Sequence, residues 1–148
     1  WHGFAARGEE KQEPALLSLS LHGDDIPMSN APANLALRFL LEIAALVAYG
    51  YWGWTQHEGA GRFLWAIGLP VVAAAAWGTF RVPGDPAEAP VAVPGIVRLL
   101  LETVFFAGAV MLLAAAGPRT LAIIFGVIVL AHYGLSYDRV IWLLRGAP

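Results

Sequence analysis

The sequence predicts an all-α membrane protein: a four-transmembrane-helix bundle built from two pseudo-repeated helical hairpins. Three observations lead there. Of the 148 residues, 58% are hydrophobic and 14% charged, where soluble domains run nearer half and a quarter. The apolar residues gather into four runs of about 18 residues or more, the length that crosses ~30 Å of hydrocarbon at 1.5 Å per residue. And the first and third runs open alike: "LRFLLEIAAL" at 37–46 and "VRLLLETVFF" at 97–106 carry the same two charges at offset 60. Lipid offers backbone groups no hydrogen-bond partner, so runs that enter it must be helical.

Residues 1–27 stand apart from this pattern. They carry Arg7 and Lys11 against Glu9, Glu10, Glu13, Asp24 and Asp25, and serines interrupt their longest apolar run, Ala15 to Leu21. That run is too short and too weakly apolar for a secretory signal, and no cleavage site follows. The segment reads as a disordered or non-native N-terminal extension, with the four-helix domain occupying 28–148 and starting near Met28. Helices are expected at about 35–54, 63–80, 95–116 and 121–144, the last with a polar break at Asp138–Arg139. "TQHEGAGR" (55–62) and "AGPR" (116–119) read as turns, and the prolines of "RVPGDPAEAPVAVP" (81–94) stop helices. Pro70 lies inside the second run, where it is expected to kink the helix, as membrane helices tolerate.

Four crossings place both termini and the 81–94 loop on one side. The helix ends there carry Arg38, Arg81, Arg98, Arg139 and Arg145, against Arg62 and Arg119 opposite, so the positive-inside rule puts both termini in the cytoplasm. Trp52, Trp54 and Trp65 then mark the outer interface, and Trp77 and Trp142 the inner one.

Arg38 aligns with Arg98 and Glu42 with Glu102. Each pair is spaced for one helix face, in the less favourable order for a within-helix pair. A pseudo-two-fold axis along the membrane normal offers crossed pairs instead: Arg38 with Glu102, and Arg98 with Glu42. In the fourth helix, "HYGLSYDRVIW" places Asp138 and Arg139 at the same boundary, with His132 about 9 Å deeper. Tyr133, Tyr137, Thr79, Thr103 and Ser136 could join them. The expected result is a cytoplasm-facing polar cluster lined by all four helices. Intramembrane ionisable groups point to a binding site or a proton path, and His132 titrates in the right range for a relay. The competing reading is a fold clamp.

Other chemistry finds little support. There is no cysteine, hence no disulfide, thiolate metal site or cysteine nucleophile. No metal site, cofactor or basic nucleic-acid patch is read, and no HExxH, P-loop or GxSxG motif points to an enzyme. The small residues of "VVAAAAWG" and "GAVMLLAAAG" allow close helix packing.

The stretches "NLALRFLLEIAAL", "GYWGW", "WGTFRVPGDP", "VPGIVRLLLETVFF" and "HYGLSYDRVIWLL", across about residues 34–144, resemble the YrdB-like membrane proteins, a bacterial family of unknown function. The resemblance implies a small four-helix protein of the bacterial cytoplasmic (inner) membrane and brings no activity. The sequence therefore leaves, in order, a protein that binds or conducts a small solute or proton through the polar cluster, a structural partner of another membrane protein or of its own copies, and, third, a membrane-embedded enzyme resting on a lone histidine and carboxylates.

Overall fold

A computed structural model describes residues 28–84 and 89–146; the extension expected at 1–27 falls outside the described residues. A 3-10 turn at Met28–Asn30 leads into α1 (Pro32–Thr55), followed by α2 (Gly59–Thr79), α3 (Gly95–Ala115), α4 (Arg119–Leu135) and α5 (Tyr137–Leu144). Pro32 begins α1, where its missing N–H costs nothing. α2 starts at Gly59, earlier than expected, because Gly59 takes the positive φ of 58° that turns the chain back after α1. It then runs through Pro70 without a break. The loop beyond holds two strands the sequence did not announce. β1 (Phe80–Arg81) and β2 (Val91–Ala92) pair in parallel, Phe80 opposite Val91 and Arg81 opposite Ala92.

The continuous helix expected at 121–144 is corrected. α4 ends at Leu135, Ser136 leaves helical geometry at φ −104° and ψ 30°, and α5 departs at 72°. No proline forces the bend. The N–H of Ser136 still reaches the His132 carbonyl and its own carbonyl accepts from Val140, so the break strands neither group. Three helices, α1, α2 and α3, are long and apolar enough to cross a membrane, and α4 with α5 makes a fourth if the bent pair counts as one span.

α1 packs between α2 and α3, and α3 also packs on α4. Leu41, Ala45, Ala48 and Tyr49 of α1 meet Phe105, Phe106 and Ala109 of α3 and Val129 of α4. The spacing of three and four gathers each set on one helix face. Tyr49 donates to the Phe105 carbonyl at 2.9 Å, and Trp77 of α2 stacks on Phe105 with centroids 4.7 Å apart. Two glycines set backbone approaches. A side chain at Gly53 would enter the Trp65 backbone of α2, and one at Gly95 would enter the Leu143 carbonyl of α5.

The exterior is apolar. Val47, Leu64, Ile67, Met111 and Leu130 are all exposed, whereas Arg98 and Glu102 are buried. In water such a surface would be an aggregation hazard; in lipid it is the expected one.

Candidate functional site

The charges of the opening repeat converge on one carboxylate. Glu102 is 2% exposed in the first half of α3. Arg139 of α5 grips it with two hydrogen bonds, Nη1 to Oε2 at 2.9 Å and Nη2 to Oε1 at 2.8 Å. Arg98, one turn earlier on α3, donates from Nε to Oε1 at 3.1 Å. Arg38 of α1 places Nη2 at 3.6 Å from the same oxygen. The Tyr133 hydroxyl of α4 donates to Oε2 at 3.3 Å. Four helices thus supply Glu102 and the donors around it. Bidentate and charge-assisted bonds are the strong ones, and they are what makes a carboxylate at this depth affordable.

α2 contributes through Arg98. That guanidinium lies 4.0 Å over the Trp77 ring, donates to the Trp77 carbonyl at 2.9 Å and also donates to the Phe80 carbonyl. α2 ends at Thr79, so the Trp77 carbonyl belongs to its last turn and Phe80 is the residue that caps it, where a cation is favoured by the helix dipole. Arg38 approaches the same ring at 5.8 Å.

The crossed-pair expectation needs correction. Arg38 does face Glu102, but among the described residues Glu42 pairs with Arg38, at 3.1 Å, and not with Arg98. The two glutamates are not equivalent. The Glu42 side chain is 20% exposed and the Glu102 side chain 3%, so attraction is least screened at Glu102 and both arginines turn there. Arg139 then supplies a third guanidinium that the repeat does not contain.

A cavity of about 20 Å³ adjoins this knot, lined among others by Ser29, Asn34, Arg38, Glu102, His132 and Arg139. It has room for a single water. His132 Nδ1, Asn34 Oδ1 and Asp138 Oδ1 are buried with no hydrogen-bond partner among the described residues. Glu42 does not line the cavity. Tyr137 is 59% exposed and does not line the cavity. Thr103 is also exposed; it bonds the Leu99 carbonyl and lines an apolar groove instead.

Two participants escaped the sequence reading. Ser29 gives Asp138 Oδ2 both its hydroxyl, at 2.7 Å, and its N–H, at 3.2 Å. Asn34 donates from Nδ2 to the Ser136 hydroxyl at 2.7 Å. The signal available was "SNAPAN" itself, three polar side chains placed at the level of the "SYDR" break. These bonds fasten the start of α1 to the bend between α4 and α5. Because Glu42 is partly exposed and has an ordinary i,i+4 partner, Glu42→Gln is expected to cost less than about 1 kcal/mol in thermal unfolding in detergent.

A family profile described as "Protein of unknown function (DUF2568)" matches residues 36–130. The chain belongs to that family. The DUF2568 match includes Arg38, Glu42, Arg98 and Glu102 and stops short of His132 and Arg139. The chain is also 37% identical over 115 residues to "Uncharacterized protein YrdB" of Bacillus subtilis (strain 168), covering 76% of this chain and 94% of the relative. No solved structure matches it significantly.

Proposed function

We propose that the protein is a structural or assembly component of the bacterial cytoplasmic membrane, in which the buried charges lock four spans together and the outer face meets a partner. The observation that carries this is the saturation of Glu102: three arginines and a tyrosine surround it, and the space beside it admits one water. A solute site would leave room for the solute beside the carboxylate, and the space here is the size of one water. The 60-residue offset between "LRFLLE" and "VRLLLE" supports two hairpins related by a pseudo-two-fold axis, with α4 and α5 acting together as the fourth span. α2 has no buried residue and leaves Val71, Ala74 and Ala75 exposed on one face. Small residues there let a second helix approach closely, from another copy or another membrane protein.

The test has two arms. Cysteine at Ala75 should cross-link to a partner in native membranes, and Ala75→Phe should abolish co-purification of whatever was captured. In proteoliposomes the wild-type protein should give background proton flux. The second reading, a proton relay, draws on His132, which lines the same cavity as Glu102 and whose Nδ1 has no hydrogen-bond partner among the described residues. Proton flux that disappears in His132→Ala would establish that reading and overturn ours.

The arginine distribution supports cytoplasmic termini. Cysteine at Glu58 is therefore expected to react with an impermeant maleimide in intact cells, and cysteine at Arg145 only after permeabilisation. The opposite pattern would invert the topology.

A further inference from the structure

α5 runs across one end of the bundle. Its beginning meets the start of α1, where Asn34 donates to the Ser136 hydroxyl and Ser29 to Asp138. Its last turn meets the start of α3 and the loop that leaves α2. Leu143 stands against Gly95 and packs on Val82, and the Trp142 ring lies beside Gly84. The helix has two unlike faces. Arg139 and Leu143 turn inward, onto Glu102 and Gly95. Tyr137, Ile141 and Leu144, spaced i, i+4 and i+7, share the opposite face and are all exposed. The two charges of α5, Asp138 and Arg139, are both bonded within the protein.

We propose that α5 lies in the plane of the membrane surface, with its Tyr137, Ile141 and Leu144 face seated at the boundary between lipid headgroups and acyl chains. The inference rests on the chain spanning a membrane. Length and angle carry it. α4 has 17 residues and rises about 26 Å, short of the ~30 Å of hydrocarbon. α5 has eight residues and departs at 72°. With α4 along the membrane normal, α5 adds about 4 Å of depth and travels about 11 Å sideways. The pair together then reaches ~30 Å, and α5 ends it at the boundary. The contacts agree, because α5 touches the chain where α1 begins, where α3 begins and just beyond α2. Composition suits the place as well. Tyr137 and Trp142 are residues of the headgroup level, and an apolar face opposed to a charged one marks a helix lying in the interface. The apolar exterior reaches this end of the bundle: Leu135, which closes α4, and Ile96 and Leu100, which open α3, are exposed too. Facing water, the same three side chains of α5 would form an apolar patch with nothing to offset it.

The chain has no cysteine, so single nitroxide labels can be placed by Tyr137→Cys, Ile141→Cys and Leu144→Cys. The full chain is studied in nanodiscs of phosphatidylethanolamine and phosphatidylglycerol, with Leu130→Cys as a lipid-facing reference and Glu58→Cys as a water reference. Collision with oxygen, which concentrates in hydrocarbon, against a water-soluble nickel chelate reads depth. The three α5 labels should lie within about 3 Å of one depth, near the boundary and shallower than Leu130. A helix continuing along the normal would separate Tyr137 from Leu144 by about 10 Å, and that spread would overturn the proposal. So would nickel collision equal to that at Glu58, which puts the face in water, or weak collision with both reagents, which puts it under another protein. A water-like label at Leu130 would remove the membrane reading and the proposal with it; a lipid-like Leu130 beside water-like α5 labels removes the proposal alone. Ile141→Ser with Leu144→Ser leaves the inward residues intact, and nickel collision at Tyr137→Cys should then rise about twofold or more, because the lipid-seeking surface is gone. No rise in the folded protein would mean that the inward contacts alone place α5, and the outer face would not be a seat for lipid.

Discussion

Glu102→Gln is expected to cost ~3–5 kcal/mol, the range found when one partner of a deeply buried ion pair is removed. The substitution preserves shape and removes only charge. It leaves Arg38, Arg98 and Arg139 facing one another around a neutral amide, with Arg98 1% exposed and unable to reach water. The amide nitrogen, a donor, would also confront guanidinium donors on one side of the site. The measurement is thermal unfolding in mild detergent, followed by loss of the monodisperse species. The partners rank by geometry. Arg139, with two bonds under 3 Å, should show the largest coupling to Glu102 in a double-mutant cycle. Arg38, at 3.6 Å, should show the smallest. Exchange for apolar groups gives the complementary result. Glu102→Met with Arg139→Met should recover part of the loss, because an absent charge needs no partner. A Glu102→Gln protein as stable as wild type would remove the lock and with it the main support for a structural role.

Parts of this arrangement were legible in the sequence because they follow from composition. A run of about twenty apolar residues declares a span by its length alone. Arg98 and Glu102 stood out because charge inside such a run is expensive. Their partners were another matter. Arg139 reaches Glu102 only because the helix breaks at Ser136 and turns by 72°, and "GLSYDRV" offers no proline there and a single glycine, Gly134, that is still helical. The break is made by tertiary bonds, from Asn34 to Ser136 and from Ser29 to Asp138, over sequence separations that local patterns do not encode. The repeat misled for a related reason. It implied two equivalent Arg–Glu exchanges, yet equivalence in sequence did not carry into burial, and the site formed around the more buried carboxylate. The groove between α3 and α4 was likewise unreadable, since Ala107 and Gly126 are as consistent with close packing as with a gap.

The second large effect is expected at a residue with no side chain. Gly95 opens α3 where α5 crosses it, and a methyl group there would penetrate the Leu143 carbonyl. Backbone cannot rotate aside as a side chain can, so Gly95→Ala must push α5 away from α3. Overpacking of this kind costs ~1–3 kcal/mol by itself. Here it has a further consequence, because Arg139 rides on α5 and a shift of the helix withdraws its two bonds from Glu102. The loss should therefore exceed that range and resemble the loss in Arg139→Met. Thermal unfolding of the double variant distinguishes the two causes. If Gly95→Ala acts by lifting α5, it costs less in an Arg139→Met background than alone, with an interaction energy of ~0.5–3 kcal/mol. If it acts only by local crowding, the two costs add. Gly134→Ala is the matched control, since a methyl there meets nothing within 4 Å and shortens the list of unfolded conformations. It should be neutral or stabilising by ~0.4–1 kcal/mol. A Gly95→Ala protein that behaves like that control would mean α5 does not rest on α3 at this point, and the route by which Arg139 reaches Glu102 would have to be redrawn.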